Sequence, residues 1–173
     1  QMELLGRLKG PKLVVADTMN LWIEHNREDL VRLMERIDGM VLNEGEARMF
    51  TGRENLAAAA KEMVGRGLKF VVIKKGEHGT LLWTGEGECF ALPGFPTDAV
   101  KDPTGAGDSF AGGMMGYLAS RRKMNLGVLK RAIAYGTVTA SLVIEDFSLD
   151  CWRRVGKQEI EERMGVLREM MRF

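Results

Sequence analysis

At 173 residues, with 45% apolar and 28% charged side chains, the chain is long enough for a buried core and too apolar for a disordered one. Its 25 basic and 24 acidic residues are interspersed and leave a net charge of +1, which argues against nucleic-acid binding and against attraction to an anionic membrane. No window approaches the roughly 20 apolar residues that cross a bilayer. Cys89 and Cys151 stand too far apart for a metal pair or a redox Cys-x-x-Cys, so a cytoplasmic protein with free thiols is expected.

Leu13 to Ala16 is a short apolar run that ends at Asp17 and reads as a strand. Residues 27–37 carry Leu30, Leu33, Met34 and Ile37 on one helical face. Met40, Val41 and Leu42 make a second strand, and Asn43 at its end can cap a helix over residues 44–50. A helix is expected over residues 54–66, with Gly67 as its stop, and then a strand from Phe70 to Ile73. This βαβαβ order predicts right-handed crossovers and a parallel sheet.

The texture then changes. Residues 79–84 and 88–92 flank Gly85-Glu86-Gly87 and read as a hairpin at a sheet edge. After the loop of Pro93, Gly94 and Pro96, helices are expected over 105–120 and 126–144, and the tail 159–171 places Ile160, Met164, Leu167 and Met171 at helical spacing. The methionines and Trp22, Trp83 and Trp152 read as packing residues. His25 and His78 have no His or Cys partner at metal spacing, and Asp17 could face a ligand or simply form a turn.

The chemistry concentrates in Asp102-Pro103-Thr104-Gly105-Ala106-Gly107-Asp108. Two glycines around an alanine permit a tight turn with several NH groups aimed at an anion, and the following helix adds its positive dipole end. Asp108 stands where it can orient or deprotonate an attacking hydroxyl, the second requirement of phosphoryl transfer. A carboxylate is a weak base toward an alcohol, but the proton leaves late in a loose transition state, so orientation matters more. A first-turn Asp is also favoured by the helix dipole alone. Gly112 and Gly113 are small enough to let the helix pack closely on the sheet. No Gly-x-x-x-x-Gly-Lys-Ser/Thr loop occurs, and Phe110 fills the third glycine position of the dinucleotide fingerprint.

At these residues the chain resembles the ribokinase-like (PfkB) family of sugar and nucleoside kinases, whose signature reads Asp-x-x-Gly-Ala-Gly-Asp followed by small residues. Asn43-Glu44-Gly45-Glu46 is similar to that family's Asn-x-x-Glu motif, and Lys75-Gly76-Glu77-His78-Gly79 to its nucleotide-contacting strand end. The resemblance implies a three-layer, doubly wound, mostly parallel α/β sheet. It also implies transfer of the ATP γ-phosphoryl group to a sugar or nucleoside hydroxyl, with Asp108 as base and Gly105, Ala106 and Gly107 as anion hole. ATP would lie along Lys75, Gly76, Glu77 and Gly79, with Thr104, and against a helix whose Ala134, Gly136, Thr137 and Ala140 could admit a ring. Asn43 and Glu46 would place Mg2+, largely through water. Asp102, with Thr104, matches positions implicated in binding a monovalent cation, K+. The later loop departs from the family's Gly-Ala turn, reading Glu145-Asp146-Phe147-Ser148-Leu149-Asp150.

The resemblance covers only part of the family's usual length. The chain starts at Gln1 rather than Met and is expected to be a single C-terminal nucleotide-binding and catalytic portion, 1–173, without the N-terminal strands and lid. The alternatives are a catalytically silent nucleotide-binding fragment or interaction module, and a dinucleotide-dependent oxidoreductase. Exposed apolar surface would favour association, a homodimer among the possible forms.

Overall fold

A computed structural model describes residues 2–172; Gln1 and Phe173 lie outside the described residues. The chain divides into two compact units, one of Gln1–Lys75 with Leu81–Ala91, the other of Gly76–Thr80 with Leu92–Phe173.

The first unit runs α1 (Met2–Arg7), β1 (Val15–Asp17), α2 (Asn20–His25), α3 (Arg27–Met34), β2 (Gly39–Asn43), α4 (Glu44–Thr51), α5 (Leu56–Val64) and β3 (Phe70–Lys74). The hairpin strands β4 (Thr80–Thr84) and β5 (Cys89–Leu92) complete a five-stranded sheet in the order β1-β2-β3-β4-β5. β1 pairs parallel with β2, and β2 with β3, in a register that sets Asn43 beside Lys74. Gly39 faces Phe70 across that pair, and the ring fills the space a side chain at Gly39 would need.

Both faces of β2 and β3 are buried, which is why these strands read as continuous apolar runs rather than as alternation. Met40 and Leu42 of β2 and Val71 and Ile73 of β3 cluster with Leu33 and Met34 of α3, Phe50 of α4 and Met63 of α5. Each such side chain, removed from water, contributes roughly 1.5–3 kcal/mol. The parallel core thereby holds the carboxyl ends of β1, β2 and β3 in fixed register.

The second unit contains 3-10 turns at Gly76–His78 and Asp150–Arg153, with α6 (Ala106–Ala119), α7 (Leu126–Val143) and α8 (Lys157–Met170). Glycines let α6 and α7 meet closely. A Cβ on Gly136 would stand 2.7 Å from the Phe110 carbonyl oxygen, and one on Gly113 would collide with the Thr139 hydroxyl. Gly113 is therefore small for the sake of α7, not for sheet packing.

Two helices join the expected elements, and two local expectations change. Helices α1 and α2 carry too little apolar periodicity to be read from sequence: α1 buries no residue and α2 buries only Ile23. Trp22, expected as a packing anchor, is 45% exposed. Gly67 takes φ +107° as expected of a stop, but α5 has already ended at Val64. Leu4, Leu8, Met19 and Leu21 are exposed near Trp22 in sequence.

Candidate functional site

Polar residues gather where the parallel strands of the first unit end, the position at which open α/β sheets bind ligands. β1 ends at Asp17, β2 at Asn43 and β3 at Lys74. Lys74 Nζ lies 3.3 Å from Asp17 Oδ2, and Asp17 Oδ1 also accepts from the Thr18 NH at 2.7 Å. Lys74 is mostly shielded, with 18% of its side chain exposed.

Asn43 and Glu46 form a reciprocal cap. Asn43 Oδ1 accepts from Glu46 N at 2.8 Å, and Glu46 Oε2 accepts from Asn43 N at 2.8 Å. Asn followed three residues later by Glu is the sequence form of this box, and it locks the Glu46 carboxylate at the first turn of α4. Glu46 is nonetheless buried, and that burial pushes its carboxyl above the usual range. The hydrogen bond from Asn43 pulls it back down, Asp17 pushes it up and Lys74 lowers it. A buried carboxylate suits a ligand that brings positive charge, although Lys74 already offsets part of the carboxylate's own. Among the described residues no group of three His, Cys, Asp or Glu could hold a metal by itself. The donor set of one carboxylate and one amide therefore fits an ion that keeps most of its waters, as Mg2+ does. The Thr18 hydroxyl is buried there without a hydrogen-bond partner.

In the second unit, Gly105 adopts φ +80°, ψ 0° as the residue before α6, a left-handed conformation that L side chains resist. Its carbonyl accepts from Ser109 N at 2.9 Å, closing the first turn of α6. Ala106 and Gly107 follow in that turn, half-buried, with Asp108 exposed beside them. The first NH groups of a helix have no intrahelical acceptor, so this segment can present those of Gly105 and Gly107 to an anion, while the Ala106 NH donates to Pro103 O at 3.2 Å. Thr139 of α7 holds the turn from behind, its Oγ1 donating to Ser109 O at 2.8 Å.

The approach to the turn is ordered as well. Asp102 Oδ1 accepts from Thr104 N at 2.9 Å, and this contact holds the Asp102 carboxyl below the usual carboxylate range. Lys101 N and Asp102 N both donate to Ile144 O, at 2.8 and 3.2 Å.

The remaining expected positions divide. Lys75 follows β3 in the first unit. Gly76 (φ +56°) and Glu77 lie in an exposed turn of the second, and Gly79 (φ +85°) is packed against the Leu92 carbonyl. Gly136 is filled by Phe110, so close helix packing accounts for its size rather than room for a ring. Ala140 is half-buried on α7, while the buried Thr137 hydroxyl has no hydrogen-bond partner. An open groove of about 390 Å³, lined by Lys61, Val64, Trp83 and Gly85 among others, contains none of these residues.

Lys74 was not singled out in sequence. It is the first polar residue after the run 70–73, as Asn43 is after 40–42, and that parallel is the signal that could have found it.

The chain is 43% identical over 125 residues to a cytidine kinase of Thermococcus kodakarensis, an overlap of 70% of this chain and 45% of that one. In structure it is similar to a Methanocaldococcus jannaschii nucleoside kinase, an archaeal member of the ribokinase family. The TM-score is 0.76 at 22% identity, over 95% of this chain and 52% of that one. A protein described as a ribokinase II from E. coli, solved with ATP and Mg2+, matches with a TM-score of 0.68 at 24% identity, over 84% and 45% of the two chains. The chain thus spans about half the length of these proteins or less. The structural likeness establishes the fold: a mixed, mostly parallel five-stranded sheet with helices, of ribokinase-like type. The match to the pfkB family carbohydrate kinase description runs over residues 3–150, and the chain belongs to that family.

Proposed function

We propose that residues 1–173 are the nucleotide-binding and catalytic portion of an ATP-dependent phosphotransferase that acts on a hydroxyl of a nucleoside or sugar. The observation that carries this reading is the left-handed Gly105 turn directly ahead of α6, with Asp108 in the first helical turn. The NH groups at Gly105 and Gly107, and that of Ala106 on leaving the Pro103 carbonyl, bind the oxygens of the transferring phosphoryl group, where one such donor is worth roughly 3 kcal/mol in other enzymes. Asp108 takes the acceptor's hydroxyl proton while the new oxygen–phosphorus bond forms and the bond to the leaving diphosphate breaks.

Asn43 and Glu46 would hold Mg2+, largely through water, and the ion would supply positive charge to offset that of the nucleotide phosphates. Lys74 adds a positive charge at the same strand ends, exchanging Asp17 for phosphate. Lys75, Gly76, Glu77 and Gly79 line the nucleotide, with Thr104 and Ala140. A K+ site at Asp102 and Thr104 has less support, because Asp146 of the later loop already pairs with Lys101 and Arg154. Exposed Leu4, Leu8, Met19, Leu21 and Trp22 favour association, including of two copies, and the expected setting is the cytoplasm.

The test is calorimetric titration with Mg-ATP, with NAD as control and a panel of acceptors assayed for phosphorylation. Cytidine heads the panel because a 43% identical relative is a cytidine kinase. Binding with turnover supports the reading. Binding without turnover supports the alternative of a nucleotide-binding fragment that lacks its substrate half. The absence of Mg-ATP binding, or preference for NAD, would overturn it.

A further inference from the structure

The family match ends at residue 150, yet the segment beyond it makes a well-shielded ion pair in the second unit. Arg163 of α8 grips Glu145, at the end of α7, with both guanidinium nitrogens at 2.9 Å. Only 19% and 23% of the two side chains are exposed, unlike the surface pairs elsewhere. Fork-to-carboxylate geometry of this kind fixes direction as well as distance.

Glu145 Oε1 also accepts from Thr97 Oγ1 at 2.6 Å, and the Arg163 guanidinium lies over the Phe95 ring at 4.8 Å. The pair therefore reaches the loop that leads to the anion turn. One residue before Glu145, the Ile144 carbonyl takes the NH groups of Lys101 and Asp102. One residue after it, Asp146 pairs with Lys101 Nζ at 3.8 Å and with Arg154 of the segment that leads into α8. Thr97 and residues 101–102 are thus tied to the end of α7 and Phe95 to α8, and Gly105 lies three residues beyond Asp102. The guanidinium contacts hold the Glu145 and Asp146 carboxyls below the usual range, so the cluster stays charged at neutral pH.

We propose that α8 is a strut for the phosphate-binding turn, with Arg163 and Glu145 as positioning residues that hold segment 97–104 against the end of α7. The strut itself rests on these contacts, while its consequence for catalysis rests on the reading of Gly105–Asp108 given above.

Hydrogen exchange on the full chain, followed by mass spectrometry, tests it alongside Mg-ATP titration. Arg163→Met is expected to speed exchange of amides in 97–108 at least tenfold, leave the interiors of α6 and α7 (110–118 and 132–143) at the wild-type rate, and weaken Mg-ATP binding severalfold. Arg163→Lys keeps the charge but loses the fork, and is expected to speed the same amides a few-fold. It also serves if the methionine variant fails to fold. Unchanged exchange in 97–108, or an equal rise across 110–118 and 132–143, overturns the strut, since the second pattern is general loss of stability. A wild-type chain that binds no Mg-ATP would sink the catalytic reading alone, and the exchange pattern would still judge the strut.

Discussion

Glu46 and Asn43 satisfy each other's backbone NH groups, each at 2.8 Å, so the carboxylate proposed to meet Mg2+ is held by the same cap that starts α4. Capping residues of this type are worth about 1 kcal/mol, which explains the geometry without any ligand. The burial of Glu46 goes beyond what capping requires, because a charge shielded from water costs stability unless it is paired and hydrogen-bonded.

Glu46→Gln separates the two roles. The amide oxygen can still accept from Asn43 N, while the buried charge is gone. Because the folded carboxyl titrates above its unfolded value, its contribution to stability is fully present below the unfolded pKa and is lost as pH rises through the folded one. At pH 7 the variant is therefore expected to melt at or above the wild-type temperature and to bind Mg-ATP at least tenfold more weakly. Thermal melts at pH 7 and pH 4 with a calorimetric titration check both halves. A lower melting temperature at pH 7 would mean that the charge itself stabilises the fold.

Gly105→Val places a β-branched residue at φ +80°. No atom lies within 4 Å of the added Cβ, so the cost is conformational, roughly 1–2 kcal/mol or more for a branched side chain. We expect a modest fall in melting temperature and complete loss of Mg-ATP binding, measured on the same sample. Retained affinity would remove the turn from phosphate binding.

Gly136→Ala tests packing instead. The new Cβ meets the Phe110 carbonyl at 2.7 Å, and overpacking of this kind costs typically 1–3 kcal/mol. Denaturant unfolding is expected to show that loss, and an unchanged midpoint would mean that α6 and α7 can move apart freely.

Asp108→Asn leaves an exposed side chain of the same shape in the first turn of α6. Mg-ATP affinity is expected to stay within a few-fold of wild type, while phosphorylation of any accepted alcohol falls by at least two orders of magnitude, as loss of a general base requires. Wild-type turnover in the variant would assign the proton to another group.

Much of this was legible in the order of residues. The apolar runs 40–42 and 70–73 declare buried parallel strands, Asn43 with Glu46 spells out its own cap, and Gly105 ahead of an apolar helix marks the left-handed turn before α6. These signals are local: cap, turn and strand each depend on residues within a few positions of one another, so spacing alone encodes them. The pairing of Lys74 with Asp17 joins residues 57 positions apart, and that of Arg163 on α8 with Glu145, just past α7, joins residues 18 apart. Only the tertiary structure decides such contacts, because they depend on the register of β1, β2 and β3 and on how α8 packs on α7. The same holds for Gly136. A glycine in a helix can admit a ligand or a neighbouring chain, and the approach of Phe110 settles which.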